Sequence, residues 1–254
     1  MLNDLIRSFI EEVEACNDKK DLQEKFEKYL LAYGVRFFAY NIHRISPLIS
    51  HSHLASDSQR FLITNYPQDW LSYYFWEKYD TIDPVIELLS SKSGFVDWDN
   101  IKDLSGLSKR QAGVMMEARG VGLSSGITFP LLAEFGESVA ISLVPQGLAE
   151  KERLISSISE IYILAQCFHH RARKILFGQS MKEISSRRKT LLSSREVDVL
   201  TWIAKGKTAA EIAQILEISK KSVDFYTETA REKLYSENRA HAVVKAIILG
   251  LIEL

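Results

Sequence analysis

A cluster of aromatic and acidic residues in the first third of the chain has side chains that could hold a small molecule. Tyr66, Trp70 and Tyr74 are four residues apart, so a helix would place them on one face, and Asp83 and Pro84 follow across a turn. Hydroxyl and indole N–H groups beside one carboxylate suit a partly apolar ligand with hydrogen-bonding groups. An aromatic stripe is more often part of a core, however, and Asp83 alone could cap a helix. Ligand binding is therefore a hypothesis that needs a more specific observation.

The last quarter of the chain carries closely spaced signals for short helices. Ser193-x-x-Glu196 and Thr208-x-x-Glu211 both have the pattern of a capping box, and Gly206 between them is a typical helix stop. Apolar periodicity then predicts a third helix after a tight turn and a fourth helix that closes the unit. This order of helices is that of a helix-turn-helix domain.

The third of these helices is predicted to enter the major groove of double-stranded DNA. Its exposed face and the nearby basic side chains could contact base edges and phosphates. The candidate DNA-binding residues are Lys207, Thr208, Lys220, Lys221, Ser222, Asp224, Phe225, Glu228 and Arg231. Isolated basic residues on a helix are usually only solvated, so it is the caps and the stop around them that favour DNA binding.

Three acids on the predicted reading helix argue against simple phosphate contacts. Asp224, Glu228 and Glu232 recur every four residues and so lie on one stripe. Either this stripe pairs with neighbouring cations, or one of its acids accepts a hydrogen bond from a cytosine amine. The neighbouring cations are Lys220, Lys221 and Arg231.

Changes in hydrophobic periodicity divide the chain into the elements that would position these residues. Two amphipathic helices open the chain, and aromatic or β-branched segments then predict strands between further helices. The later helices are predicted at 67–77, 82–91, 107–118 and 149–175, and the strands at 35–42, 60–64, 127–131 and 139–144. A short glycine-containing link at 134–137 predicts a hairpin between the last two strands.

We predict an α+β protein with two domains. Residues 1–170 are assigned to an α/β/α sandwich on an antiparallel sheet, and 190–254 to an all-α helix-turn-helix domain of four helices. The segment 171–189 holds seven basic residues and one acid, which is typical of a helix end that runs into a basic linker.

The charge of the chain becomes informative only when it is divided between these parts. The 254 residues include 32 Lys+Arg and 33 Asp+Glu, and a net charge of −1 argues against nucleic-acid binding. Residues 1–170, however, carry a net charge of −7, and residues 171–254 carry +6. The basic half coincides with the predicted DNA-binding domain, so the objection from net charge disappears.

Several other classes of protein are disfavoured by the sequence. Cys16 and Cys167 are too few for a disulfide framework, no secretory signal opens the chain, and no apolar run reaches the ~18 residues of a membrane span. We therefore expect a cytoplasmic protein with no membrane contact.

Neither a catalytic site nor a metal or cofactor site is predicted. The sequence Gly122-x-Ser124-x-Gly126 has the spacing of a hydrolase nucleophile elbow, but a predicted helix precedes it and a strand follows, which reverses the required order. His51-x-His53 lacks a second group at ligand spacing.

The combination of motifs resembles the LuxR-type quorum-sensing transcription regulators over nearly the whole chain. The matching N-terminal residues are Tyr66, Trp70, Tyr74, Asp83, Pro84, Trp98 and Gly126, and the matching C-terminal residues are Glu196, Leu200, Gly206, Val223, Lys233 and Leu234. Each match is weak alone, whereas the set is specific. The third helix departs from the family, because Tyr226 and Thr229 stand where many relatives carry His and Asn.

The resemblance implies an acyl-homoserine lactone as the ligand. Trp70 would donate to the lactone carbonyl, Asp83 would accept from the ligand amide N–H, and Tyr66 would donate to the acyl carbonyl. Ser142 would assist at the acyl carbonyl. The remaining candidates are Tyr74 and Trp98 as pocket walls, Phe75, Val85 and Ile86 as acyl-chain contacts, and Gly126 as a position of close approach. The resemblance also implies a homodimer on promoter DNA, with RNA polymerase as a further partner.

Two alternatives remain open beside this reading. The chain could be a regulator of the same architecture that senses a different small molecule. It could also be a dimerising protein that binds a partner and binds DNA only weakly, which the acidic stripe favours.

Overall fold

The N-terminal unit is built on one antiparallel sheet of five strands in the order β2-β1-β5-β4-β3. The computed structural model describes residues 2–44, 61–89, 94–101, 106–133 and 137–253. The strands are β1 (Val35–Arg44), β2 (Ile63–Thr64), β3 (Val96–Asp97), β4 (Ile127–Pro130) and β5 (Ser138–Pro145). The antiparallel sheet is as predicted. Strand β3 was not predicted, because its two residues are too few to show an alternating pattern.

Within the described residues, the first part of the chain contains seven helices. They are α1 (Leu2–Ala15), α2 (Lys19–Leu31), α3 (Gln68–Trp76), α4 (Pro84–Leu89), α5 (Lys109–Gly120), α6 (Leu148–Ser156) and α7 (Ile158–Leu191). Single 3-10 turns at Tyr79–Thr81 and Trp98–Asn100 complete the described elements. Strands β4 and β5 pair antiparallel as a hairpin would, while residues 134–136 of the predicted link lie outside the described residues.

One face of the sheet packs against helices α2 and α7 through aromatic rings. Phe38 of β1 is fully buried, and its ring lies edge-on to Phe26 of α2 with centroids 5.1 Å apart. Phe168 of α7 stacks on Phe26 at 4.3 Å. Aromatic pairs in these geometries add to the stability that apolar burial provides.

The opposite face of β1 is turned toward helices α3, α4 and α5. Successive side chains of a strand point to opposite faces, so Ala39, Asn41 and His43 share the face that Phe38 and Tyr40 leave. These three side chains line a cavity between the sheet and those helices. The α/β/α arrangement therefore gives one densely aromatic layer and one layer that contains a cavity.

The C-terminal unit consists of α8 (Ser194–Ala204), α9 (Ala209–Ile215), α10 (Lys220–Lys233) and α11 (Arg239–Ile248). Both predicted capping boxes are present, at Ser193 with Glu196 and at Thr208 with Glu211. Glu217 adopts a left-handed conformation, with φ of 54°, in the tight turn before α10. The helix-turn-helix prediction is therefore confirmed, and the local caps explain why each helix begins where it does.

The segment that joins the two units differs from the prediction. We expected one helix over 149–175 followed by a basic linker at 171–189, whereas α6 ends at Ser156 and α7 runs without interruption to Leu191. The compact units divide between Leu176 and Phe177, within α7. The expectation of a helix end near residue 175 was wrong, because basic residues have high helix propensity and no proline interrupts the stretch, while Gly178 is tolerated within α7.

Candidate ligand cavity and DNA-binding helix

A cavity of about 90 Å³ lies between the sheet and helices α3, α4 and α5. Nine of the ten predicted ligand-binding residues line it, namely Tyr66, Trp70, Tyr74, Phe75, Asp83, Val85, Ile86, Trp98 and Ser142. Most of the remaining wall is apolar. The structure therefore brings together residues that are up to 76 positions apart in the sequence.

Tyr66 occupies a different element from the one predicted. Helix α3 begins at Gln68, so Tyr66 precedes the helix instead of sharing a helical face with Trp70 and Tyr74. Its hydroxyl oxygen is buried and has no hydrogen-bond partner among the described residues. Burial and the nearby charge of Asp83 raise the pKa of this phenol above its usual range. A buried donor without a partner is costly and can be satisfied by a ligand acceptor.

Asp83 both caps a helix and faces the cavity. Its Oδ1 accepts a hydrogen bond of 2.8 Å from the backbone N–H of Val85 at the start of α4. Its Oδ2 accepts one of 2.8 Å from the hydroxyl of Tyr74. Burial raises the pKa of Asp83 above its ordinary value, although the hydrogen bonds from Tyr74 and Val85 oppose that shift. The side chain of Asp83 can therefore cap α4 and contact a ligand at the same time.

A hydrogen-bonded row connects Trp98 to the cavity wall at Ser142. The indole Nε1–H of Trp98 donates to Thr128 Oγ1 at 2.9 Å, and Thr128 Oγ1 lies 2.7 Å from Ser142 Oγ. Thr128 was not among the predicted site residues. Its position in a strand-forming segment was the only signal, and that signal does not distinguish Thr128 from its neighbours.

Two features hold Trp98 in place. Lys151 of α6 binds Asp97 at 2.5 Å and Asp99 at 2.6 Å, one on each side of Trp98. Gly126 does not line the cavity, contrary to its prediction as a ligand-binding residue. A Cβ atom at Gly126 would lie 2.9 Å from the Trp98 ring and 3.0 Å from the Leu143 carbonyl oxygen. The close approach at Gly126 is therefore to the indole ring, which the absence of a side chain permits.

The cavity also has a polar wall on β1 that the sequence patterns did not indicate. The side-chain nitrogen of Asn41 lies 3.5 Å from Nδ1 of His43. The Oδ1 of Asn41 is buried without a hydrogen-bond partner in the part of the chain that the structure describes. Burial lowers the pKa of the His43 imidazole to about 4, so the ring is neutral near pH 7.

Helix α10 presents the predicted reading face to solvent. Lys220, Lys221, Asp224, Phe225 and Glu228 are all exposed. Three of the other four candidates take part in local contacts: Ser222 in the N-terminal cap of α10, Lys207 in an ion pair of 3.3 Å with Glu211, and Thr208 in the cap of α9. These contacts place all of them around the N-terminal ends of α9 and α10.

The acidic stripe is partly neutralised within the helix. Arg231 pairs with Glu228, donating from Nε at 2.9 Å, and its cationic side chain lowers the pKa of Glu228. Lys233 binds Glu196 instead, with Nζ 2.8 Å from Oε2, and so ties α10 to the start of α8. For Glu228 the first of the two explanations, pairing with a neighbouring cation, is what the structure shows.

The remaining sequence motifs are the Gly-x-Ser-x-Gly sequence and the histidines of His51-x-His53. The motif at Gly122 and Ser124 follows α5 and precedes β4, which is the reverse of a nucleophile elbow. His51 and His53 lie outside the described residues. Within the described ranges, no group of three or more acidic, histidine or cysteine side chains could hold a metal ion. No helix in those ranges is long and apolar enough to cross a membrane.

Comparison with known proteins identifies both parts of the chain. Residues 18–172 match the autoinducer binding domain family, and residues 190–246 match the luxR family of bacterial regulatory proteins. The putative HTH-type transcriptional regulator y4qH of Sinorhizobium fredii is 30% identical over 92% of this chain and 69% of its own length.

Solved structures share the fold. A crystal structure of Escherichia coli SdiA has a TM-score of 0.66 and 21% identity and covers all of both chains. A second SdiA structure, in complex with octanoyl-rac-glycerol, has a TM-score of 0.64 and 21% identity over 98% of this chain and 96% of that one. CepR2 of Burkholderia cenocepacia, described as an N-acylhomoserine lactone dependent LuxR family factor, has a TM-score of 0.55 and 19% identity over 69% of this chain and 98% of its own.

The matches cover both compact units and confirm the family resemblance seen in the sequence. They also bear out the prediction that the chain is not an enzyme, because both matched domains are those of transcription regulators. The chain belongs to the LuxR family: it is a quorum-sensing transcription regulator with an N-terminal autoinducer-binding domain and a C-terminal helix-turn-helix DNA-binding domain.

Proposed function

We propose that the N-terminal domain binds an acyl-homoserine lactone in the cavity described above. The buried hydroxyl of Tyr66, which has no partner among the described residues, is the observation that carries this proposal. An acyl carbonyl of the ligand accepts its hydrogen bond and so removes the cost of an unpaired buried donor, about 1–3 kcal/mol.

The other polar groups of the cavity fit the same ligand. Trp70 donates from its indole N–H to the lactone carbonyl, and Asp83 accepts from the ligand amide N–H. Ser142, held by Thr128, assists Tyr66 at the acyl carbonyl. Tyr74 and Trp98 wall the headgroup, while Phe75, Val85 and Ile86 contact the acyl chain. Gly126 acts indirectly, through the position of Trp98.

A second ligand class is a neutral lipid-like molecule with an acyl chain and hydroxyl groups. The structural neighbour SdiA has been solved with octanoyl-rac-glycerol, which supports this alternative for the shared fold. Such a ligand has no amide N–H, so one of its hydroxyl groups would have to donate to Asp83 in place of the amide.

We further propose that the protein acts in the cytoplasm as a homodimer on double-stranded promoter DNA and contacts RNA polymerase there. A two-fold dimer presents two copies of α10 to a pseudo-palindromic site. Helices α1, α7 and α11 are the candidate dimer surfaces. The rival function, a dimerising partner-binding protein with weak DNA binding, rests on the exposed acids Asp224 and Glu232.

Thermal melting of the full chain tests the ligand proposal. A ligand that binds the folded state raises the melting temperature by mass action. We expect acyl-homoserine lactones to raise it and 1-octanoyl-glycerol to do so less. The absence of a shift with every lactone would contradict lactone binding, and a larger shift with octanoyl-glycerol would favour the second ligand class.

Selection from a random promoter library, with and without the lactone, tests the DNA proposal. We expect retained sites with two-fold symmetry. If no sequence is retained under either condition, the partner-binding function is favoured. Gel filtration of the same samples tests the dimer, and a monomer under both conditions would contradict it.

A further inference from the structure

Two polar residues of β1 line a part of the cavity that the lactone head does not use. Asn41 and His43 project into the cavity from the same strand face as Ala39. The headgroup contacts proposed above all come from other elements. The pair therefore needs its own explanation, because the rest of the tail region of the cavity is mostly apolar.

The strand register shows where Asn41 lies relative to the acyl carbonyl site. Ala39 is paired with Ser142, and Asn41 is paired with Ala140. Residues two apart on a strand are about 7 Å apart, since each residue advances about 3.4 Å. Asn41 therefore lies about 7 Å beyond Ser142 along the sheet. His43 lies further in the same direction, at the irregularity in strand pairing between Ile42 and Arg44. Both side chains flank the acyl tail, several carbons beyond the carbonyl.

The hydrogen bonding of the pair defines what it can recognise. The amide nitrogen of Asn41 lies 3.5 Å from His43 Nδ1, which accepts from it when the neutral ring carries its proton on Nε2. The Oδ1 of Asn41 has no partner within the described part of the chain. The pair thus offers one acceptor, Asn41 Oδ1, and one donor, His43 Nε2–H. A plain alkyl tail leaves Asn41 Oδ1 unpaired.

Resting on the proposed lactone function, we propose that Asn41 and His43 select an acyl tail that carries a hydroxyl group several carbons beyond the amide. A hydroxyl donates to Asn41 Oδ1, which thereby gains its missing partner, and it can also accept from the His43 ring N–H. A carbonyl substituent in the same place only accepts and leaves Asn41 Oδ1 unpaired. The preferred signal is therefore a tail-hydroxylated acyl-homoserine lactone.

Competition binding to the full chain tests this inference with matched ligands. The probes are octanoyl-homoserine lactone and its derivatives with one hydroxyl group at the third, sixth or seventh carbon. We expect a hydroxyl at the sixth or seventh carbon to tighten binding about tenfold over the plain chain, which is about 1.4 kcal/mol. We expect a hydroxyl at the third carbon to give no such gain, because it lies close to the carbonyl.

Variants of the two residues complete the test. Asn41→Leu keeps a similar volume and removes the amide, so we expect it to bind the plain chain at least as well as the hydroxylated one. His43→Leu is expected to reduce the preference, whereas His170→Leu, at an exposed site on α7, leaves it unchanged. Equal or tighter binding of the plain chain by the unaltered protein overturns the inference while lactone binding stands. Failure of every lactone to bind overturns the proposed function itself.

Discussion

The hydroxyl of Tyr74 donates a hydrogen bond of 2.8 Å to Oδ2 of Asp83, inside the cavity. The backbone N–H of Val85 donates to the other carboxylate oxygen, Oδ1, also at 2.8 Å. Asp83 is thereby fixed from two sides before any ligand arrives. Tyr74 is consequently more than a wall of the cavity: it positions the group that we expect to receive the ligand amide.

Replacing Tyr74 with Phe should weaken lactone binding by about tenfold to a hundredfold, because a hydrogen bond to a charged group contributes about 1.5–3 kcal/mol. The ring remains, so packing is retained. Titration calorimetry of the full chain measures the change. Tyr73→Phe, on the same helix at a residue that is 42% exposed, is the control. Equal affinities of the two variants would show that Tyr74 does not position Asp83.

Asp83→Asn should remove a pH dependence from the stability of the ligand-free protein. The folded-state pKa of Asp83 is raised by burial, so the folded state is favoured by protonation. The unfolding free energy of the unaltered protein should therefore fall as pH rises from the ordinary value of 3.8 through the raised pKa. Urea denaturation at a series of pH values should show a smaller slope in the Asn variant. Identical slopes would mean that Asp83 is not the group responsible.

Lactone affinity should have the opposite dependence on pH. The ligand amide N–H favours the ionised carboxylate, so the pKa of Asp83 falls when the ligand binds. Affinity should therefore rise with pH through the raised pKa of the free protein and level off above it. Binding measurements from acidic to neutral pH test this. The Asp83→Asn variant should bind the lactone more weakly, and its affinity should depend less on pH. A steep pH dependence in that variant would show that another group causes it.

Gly126→Ala should destabilise the N-terminal domain by about 1–3 kcal/mol, as overpacking in a core does. The new methyl group would meet the Trp98 ring at 2.9 Å and the Leu143 carbonyl oxygen at 3.0 Å. Lactone binding should weaken in parallel, because Trp98 lines the cavity. Gly113→Ala is the matched control on α5, where nothing lies within 4 Å.

We expect Gly113→Ala to raise stability by about 0.5–1 kcal/mol through helix propensity. The two alanine variants should thus shift the thermal midpoint in opposite directions. A shift of the same sign in both would show that the space beside Trp98 does not govern the effect at Gly126.

Lys221→Ala should lower DNA affinity and reduce the slope of log affinity against log salt by about one. Lys221 is exposed at the start of α10, where a phosphate contact is geometrically accessible. Lys20→Ala, at an exposed residue of the N-terminal unit, should leave both quantities unchanged. A slope that stays the same in Lys221→Ala would place the phosphate contacts on other residues.

Local interactions account for what could be read from the sequence. The caps at Ser193 and Thr208 join residues three positions apart, and the pair Trp70 and Tyr74 is spaced by one helical turn. Such patterns depend only on backbone geometry. They were sufficient to predict the helix-turn-helix and the antiparallel sheet, and they singled out Tyr66, Trp70, Tyr74 and Asp83 of the cavity wall.

Sequence patterns failed where a long-range partner decides the outcome. Thr128 meets Trp98 and Ser142 only because β4 lies between β3 and β5 in the sheet. Lys233 is bound to Glu196 from another helix, a contact that no local pattern indicated. The continuation of α7 through the basic stretch was also missed, since charge composition does not break a helix.

The sequence by itself determined the two-part organisation and the short helices of the helix-turn-helix domain, because each depends on short-range spacing. The ligand head contacts were implied by the family resemblance instead. Only the tertiary structure decided that Tyr66 Oη and Asn41 Oδ1 are buried without partners among the described residues. Whether a polar atom is satisfied depends on which strands pair and in which register. That register is set by packing across the whole sheet and is not encoded in any one segment.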